Sequence, residues 1–150
     1  MKTRLFIIVS VMLAALSVNA QNRFEKIAEM EGVKSVYVSP KMFSMMNDSN
    51  TGDINIDKKV AKKITGLQIL SSENQEASDM LRKETAFINT KNGYEELLRV
   101  KDSGERVFIY TKENKDANEY VLLVDEGKEF TVIIFEGKLT VDEVRGIVNQ

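Results

Sequence analysis

Two apolar runs joined by a polar turn constrain this chain more than any other feature. Glu119 to Gly137 reads EYVLLVDEGKEFTVIIFEG, a β-hairpin by composition and spacing. A strand covered on one face alternates apolar and polar residues. These runs are apolar at almost every position, the pattern of strands buried on both faces. Val121 and Leu123 should point opposite to Leu122 and Val124. Ile133 and Phe135 should likewise oppose Val132 and Ile134. Both sides therefore need cover, from helices of this chain, another protein or a second copy.

The rest of the chain supplies candidates. Asn22 can cap a first helix, with Glu25 as its capping-box partner, Phe24 and Ile27 facing inward, and Gly32 as the stop. Val33 to Ser39 is β-branched and aromatic, which predicts a strand. Ser39-Pro40 reads as a cap followed by proline at the first helical position. A short helix should follow to Met46, and Asp57 to Ile64 predicts another. Thr65 to Ser72 predicts a second strand. Asn74 should cap the longest helix, Gln75 to about Asn89, with Ala77, Met80, Leu81, Phe87 and Ile88 on one stripe. From Tyr94 onward the period changes. Strands near 96–100 and 106–111, joined at Gly104 by a bulged turn, lead into the opening hairpin. Those four strands read as an antiparallel meander. Thr140 and Glu143 form a capping box for a last helix with Val141, Val144, Ile147 and Val148 inward. The expected fold is α+β: a mainly antiparallel sheet, the meander plus strands near 33–39 and 65–72, with helices packed on it.

The N-terminus predicts export. Lys2 and Arg4 precede the uncharged run Leu5 to Val18, and Val18-Asn19-Ala20 offers small residues for cleavage before Gln21. The run is shorter than the ~20 residues of a spanning helix. Residues 1–20 are thus expected to be a signal peptide and 21–150 one domain, in the periplasm or outside the cell, with no membrane anchor after cleavage. The chain of 150 residues contains neither cysteine nor histidine. That excludes thiol redox chemistry, Ser-His-Asp and Cys-His catalysis, and histidine-based zinc sites. A net charge of −2 argues against a nucleic-acid partner. No catalytic, cofactor or metal residue is assigned.

Three stretches are candidates for contact. Lys58, Lys59, Lys62 and Lys63 make a basic stripe if the helix holds, with like charges four apart. It could meet an anionic envelope component or an acidic protein face, or it could be a solvated face. Met42, Phe43, Met45 and Met46 could form an adaptable apolar contact, or fill gaps in the core. Asn47 to Asp57 is superficially like a calcium loop, but Gly52 falls one place early after Asp48. Lys59 also stands where a bidentate glutamate is needed.

The run from NAQ through VYVSPKMF to VAKKITGLQILSSE, followed by the long helix and a strand-rich half, resembles an uncharacterised family of secreted domains from Bacteroidetes-type bacteria. That family is a domain of unknown function of the DUF4252 type. The resemblance implies an exported α+β domain and brings no activity and no functional residues. The expected function is accordingly a non-catalytic binding or interaction domain of the cell envelope, open to self-association. One alternative is a hydrolase working through paired carboxylates, with Glu73, Glu76, Glu95, Glu96, Asp125 and Glu126 as available acids. Another is a regulatory or stress-related envelope protein.

Overall fold

The computed structural model describes residues 19–46 and 58–148, with side chains described for 23–45 and 59–144. The signal-like run to Val18 and the calcium-like loop 47–57 lie outside the described residues, as do the side chains of Met46, Lys58, Ile147 and Val148.

Among the described residues six antiparallel strands form one sheet: β1 (Val33–Val38), β2 (Ile64–Ser72), β3 (Glu95–Asp102), β4 (Glu105–Lys112), β5 (Asn118–Asp125) and β6 (Phe130–Gly137). Their spatial order is β1-β2-β6-β5-β4-β3. The C-terminal four make the expected meander, and the opening hairpin, β5–β6, lies in the middle of the sheet. Among the described residues five α-helices accompany it, α1 (Asn19–Ala28), α2 (Pro40–Met46), α3 (Lys58–Ala61), α4 (Gln75–Glu84) and α5 (Val141–Val148), with a short 3-10 helix at Thr90–Asn92.

The doubly apolar strands have two buried faces. On the first face Val121, Leu123, Val132, Ile134 and Leu70 pack with Phe24 and Ile27 of α1 and Leu81 of α4. On the second, Tyr120, Ile109 and Phe135 pack with Phe43 of α2, with Leu139 of the segment before α5 and with Val144 of α5, while Leu122 and Ile133 are half-buried against them. Val121 and Val132 have no exposed surface, and burying each contributes about 1.5–3 kcal/mol. This chain's own elements thus cover the hairpin on both sides. The exposed apolar side chains of the sheet lie on its edge strands, Val36 and Tyr37 of β1, Leu98 and Val100 of β3.

Several local expectations need correction. Helix α1 already begins at Asn19, so Asn22 is inside it rather than its cap; no helix breaker stands between them. Helix α4 ends at Glu84, five residues early. There the Thr85 hydroxyl donates to the Leu81 carbonyl at 2.7 Å, as short polar side chains do when they compete with the helix backbone. Phe87 and Ile88 reach the core from the turn that follows. Helix α3 has four residues, not eight, because Ile64 is captured as the first residue of β2 opposite Gly137. The β3–β4 turn is not bulged: Asp102 pairs with Glu105, and Ser103 and Gly104 both take positive φ, 44° and 97°. That is the two-residue type I′ turn whose twist suits a hairpin.

Other caps form as read. The Met42 N–H donates to Ser39 Oγ at 3.2 Å, and Ala77 N–H to Asn74 Oδ1 at 2.9 Å. Thr140 and Glu143 exchange both capping-box bonds.

Candidate functional site: an acidic cavity on the first face

A cavity of about 440 Å³ lies between α1 and the first face of the sheet. Phe24, Glu25 and Ala28 line it from α1, and Glu29 from the turn that follows it. The strands contribute Tyr37 of β1, Gly66 and Gln68 of β2, Glu119 of β5, and Ile134 and Glu136 of β6. The size is that of a small-ligand site. Small residues explain the space: Ala28 on the helix and Gly66 on the sheet leave volume that larger side chains would fill. A Cβ built on Gly66 meets nothing within 4 Å.

Strand register brings the acids together. Glu119 pairs directly with Glu136, Lys112 pairs with Glu119, and Gly66 pairs with Glu136. Two like charges directly opposite on neighbouring strands repel each other. Glu119 is 6% exposed. Its Oε1 accepts a hydrogen bond from the Tyr94 hydroxyl at 2.7 Å, and its Oε2 accepts none among the described residues. Burial pushes the Glu119 carboxyl above the usual range; the Tyr94 bond opposes this, the Glu136 carboxylate adds to it, and Lys112 opposes it. Burial, then the nearby Glu119 charge and bond, also hold the Tyr94 phenol well above its ordinary value. Lys112 does not close an ion pair with Glu119; its ammonium sits 5.1 Å from the centre of the Tyr94 ring.

The acids of the cavity contrast with those elsewhere. Glu73 pairs with Lys34, Glu96 with Arg99, Asp79 and Asp125 with Arg82, and Glu143 with Lys63. Among the described residues no lysine or arginine forms an ion pair with Glu25, Glu29, Glu119 or Glu136. Nor do any three acids among the described residues converge as ligands of a metal ion.

The residues singled out from sequence lie elsewhere. Phe43 is in the second core, whereas Met42 and Met45 are exposed. Lys59 lies in α3, while Lys62 and Lys63 follow it in the turn, so the four lysines do not share one helical face. Lys63 also bonds Glu143 at 2.6 Å. Of the six acids offered for hydrolysis, none lines the cavity. Its glutamates were missed, although the hairpin contains a signal for two of them. Pairing Asp125 with Phe130 across the turn sets Glu119 opposite Glu136 by counting back.

No described helix is long and apolar enough to cross a membrane. No curated protein and no solved structure matches the chain. The model of a domain of unknown function, DUF4252, matches residues 24–147, and the chain belongs to that family.

Proposed function

We propose that this protein is an exported, non-catalytic binding domain of the cell envelope, and that its ligand occupies the cavity under α1. The signal-peptide pattern supports export. The cavity carries the binding reading: it has an apolar wall, a few convergent polar groups and one buried carboxyl with a raised pKa, the usual marks of a ligand site. The basic stretch around Lys59, Lys62 and Lys63 and the Met42–Met45 surface are weaker candidates, since Lys63 is paired with Glu143 and Met42 and Met45 are exposed rather than gathered round a cavity wall.

Gly66→Phe tests the reading cleanly, because Gly66 does not take positive φ and its Cβ has open space. Small-molecule fractions from the producing cell's envelope would be screened by thermal shift. At least one fraction should raise the melting temperature of the wild type and leave Gly66→Phe unmoved. A screen that stabilises neither protein, or both equally, would remove the cavity from consideration.

One observation favours a second reading. A buried acid with a raised pKa beside another carboxylate is also how glycosidases divide acid and base roles. Hydrolysis of an envelope glycan that survives in wild type and vanishes in Glu119→Gln would move the protein into that class.

A further inference from the structure

The cavity presents negative charge that no ion pair among the described residues neutralises, although the Lys112 charge partly offsets it at Glu119. Glu25 approaches from α1 and Glu29 from the turn after it; Glu119 and Glu136 approach from adjacent strands. Two cations beside this site, one acting on Tyr94 and one on Glu119, stand over aromatic rings and form no ion pair with Glu119. Arg23 stands over the Phe87 ring at 4.6 Å, and Lys112 over the Tyr94 ring. Glu119 itself is more than nine-tenths buried and has one oxygen without a protein donor among the described residues. A buried acceptor left without a donor is costly, so the site is suited to a donor that the described residues do not supply.

The chemistry of that donor can be narrowed. A metal ion needs three or more ligands converging on one point, and these acids do not converge so. A guanidinium favours a two-pronged carboxylate, but one oxygen of Glu119 is already taken by Tyr94. An ammonium donates in three directions from a single point, which suits single oxygens from separate glutamates. The wall of Phe24, Ala28 and Ile134 then suits an aliphatic stem. We propose that the cavity binds an aliphatic primary ammonium, its charged end beside Glu119 and Glu136 and its stem along α1. This rests on the cavity being the ligand site.

The test uses three probes of one length against the purified protein, followed by ¹H–¹⁵N NMR titration at pH 8: n-hexylammonium, n-hexanol and n-hexanoate. The amine should bind at least about tenfold tighter than the alcohol, the equivalent of one charge-assisted hydrogen bond, and tighter still than the acid. The double variant Glu119→Gln, Glu136→Gln should lose that advantage, to within about threefold of the alcohol. The amide carbonyl that Glu119→Gln introduces can still accept from Tyr94, and the amide spectrum reports whether the fold is kept. Gly66→Phe should abolish binding of amine and alcohol alike.

Alcohol binding as tight as the amine, with both lost in Gly66→Phe, would overturn the ammonium assignment and leave the cavity reading standing. Amine binding that persists in Gly66→Phe would overturn both. An amine that does not bind at all overturns the ammonium assignment alone, since the cavity has its own test in the envelope fractions.

Discussion

Strand β5 has a buried acid at each end of the same face, and the two have opposite fates. Asp125 is 4% exposed and Glu119 6%, so burial does not separate them. At the turn end, Asp125 accepts from Arg82 at 2.8 Å, Arg106 at 2.6 Å and the Gly127 N–H at 3.0 Å. Burial alone would raise its pKa, but the bonds from Arg82, Gly127 and Arg106 outweigh it and hold the carboxyl below its usual range. A hydroxyl knot backs this end. Ser72 and Ser78 lie 2.6 Å apart, Phe130 N–H donates to Ser72, and Ser78 donates to the Lys128 carbonyl. At the open end Tyr94 is the one side-chain hydrogen-bond donor to Glu119 among the described residues, with the Lys112 charge nearby. A buried charge is tolerated where donors surround it and is pushed towards neutrality where they do not. The turn end is finished as structure, and the open end is left short of donors beside a cavity.

Mutation should give the two ends opposite signs. Asp125→Asn removes the charge that Arg82 and Arg106 share. Removing one partner of a buried pair costs about 3–5 kcal/mol. Arg82 is 24% and Arg106 52% exposed at the side chain, so water rescues them in part, and a loss of about 2–3 kcal/mol is expected from urea unfolding at pH 7. A loss under about 0.5 kcal/mol would mean that the turn end is not tied by this network.

Tyr94→Phe comes next. It deletes the hydroxyl donor to Glu119 and keeps the ring, which is fully buried and packs edge-on against Phe87 at 6.2 Å. The expected cost is about 1–2 kcal/mol. Glu119→Gln should do the reverse. It keeps an acceptor for Tyr94 and removes a poorly compensated charge, for a gain on the order of 1 kcal/mol at pH 8. Destabilisation by Glu119→Gln in the same assay would show that the open end is as well satisfied as the turn end.

Much of the architecture was legible because it follows from period and punctuation. The hairpin's continuous apolar runs required two covered faces, and Val121 and Leu122 do belong to separate clusters. Caps at Ser39, Asn74 and Thr140 are local and were readable as such. Helix ends decided by distant partners were not. Ile64 joins β2 only because Gly137, far along the chain, pairs with it. At Thr85 α4 gives way to a tighter turn, with Ala86 N–H donating to the Lys83 carbonyl and Ile88 N–H to that of Thr85, a change that the helical stripe does not announce. The cavity was hidden for a similar reason. Its lining comes from α1 and four strands, and its volume depends on Gly66 and Ala28 meeting across a gap that no window of sequence contains. Only the opposition of Glu119 and Glu136 could be counted out, from the symmetry of the hairpin about its turn.

The smallest effect is the most diagnostic, because pH acts on the two acids in opposite directions. Glu119 has a folded pKa above its unfolded value of about 4.3. Its contribution is fully present below about pH 4.3 and is lost as pH rises through the folded value, since the native state retains a proton that the unfolded chain has released. Asp125 has a folded pKa below its unfolded value of about 3.9. Its contribution is present above that value and is lost as pH falls through the folded one. Glu96, held low by Arg99, and Glu143, held low by Lys63, act in the Asp125 direction. Total stability will therefore blur the two ends, whereas the difference between Glu119→Gln and wild type isolates one. Measured by urea unfolding from pH 3 to 8 at fixed salt, the advantage of Glu119→Gln should be flat below about pH 4.3. It should then grow by at most about 1.4 kcal/mol per pH unit and level off above the folded pKa of Glu119. Subtracting wild type from Asp125→Asn should give a curve that changes only on the acid side. If both difference curves bend in the same pH window and direction, the two ends of β5 do not differ in the way their hydrogen bonds imply.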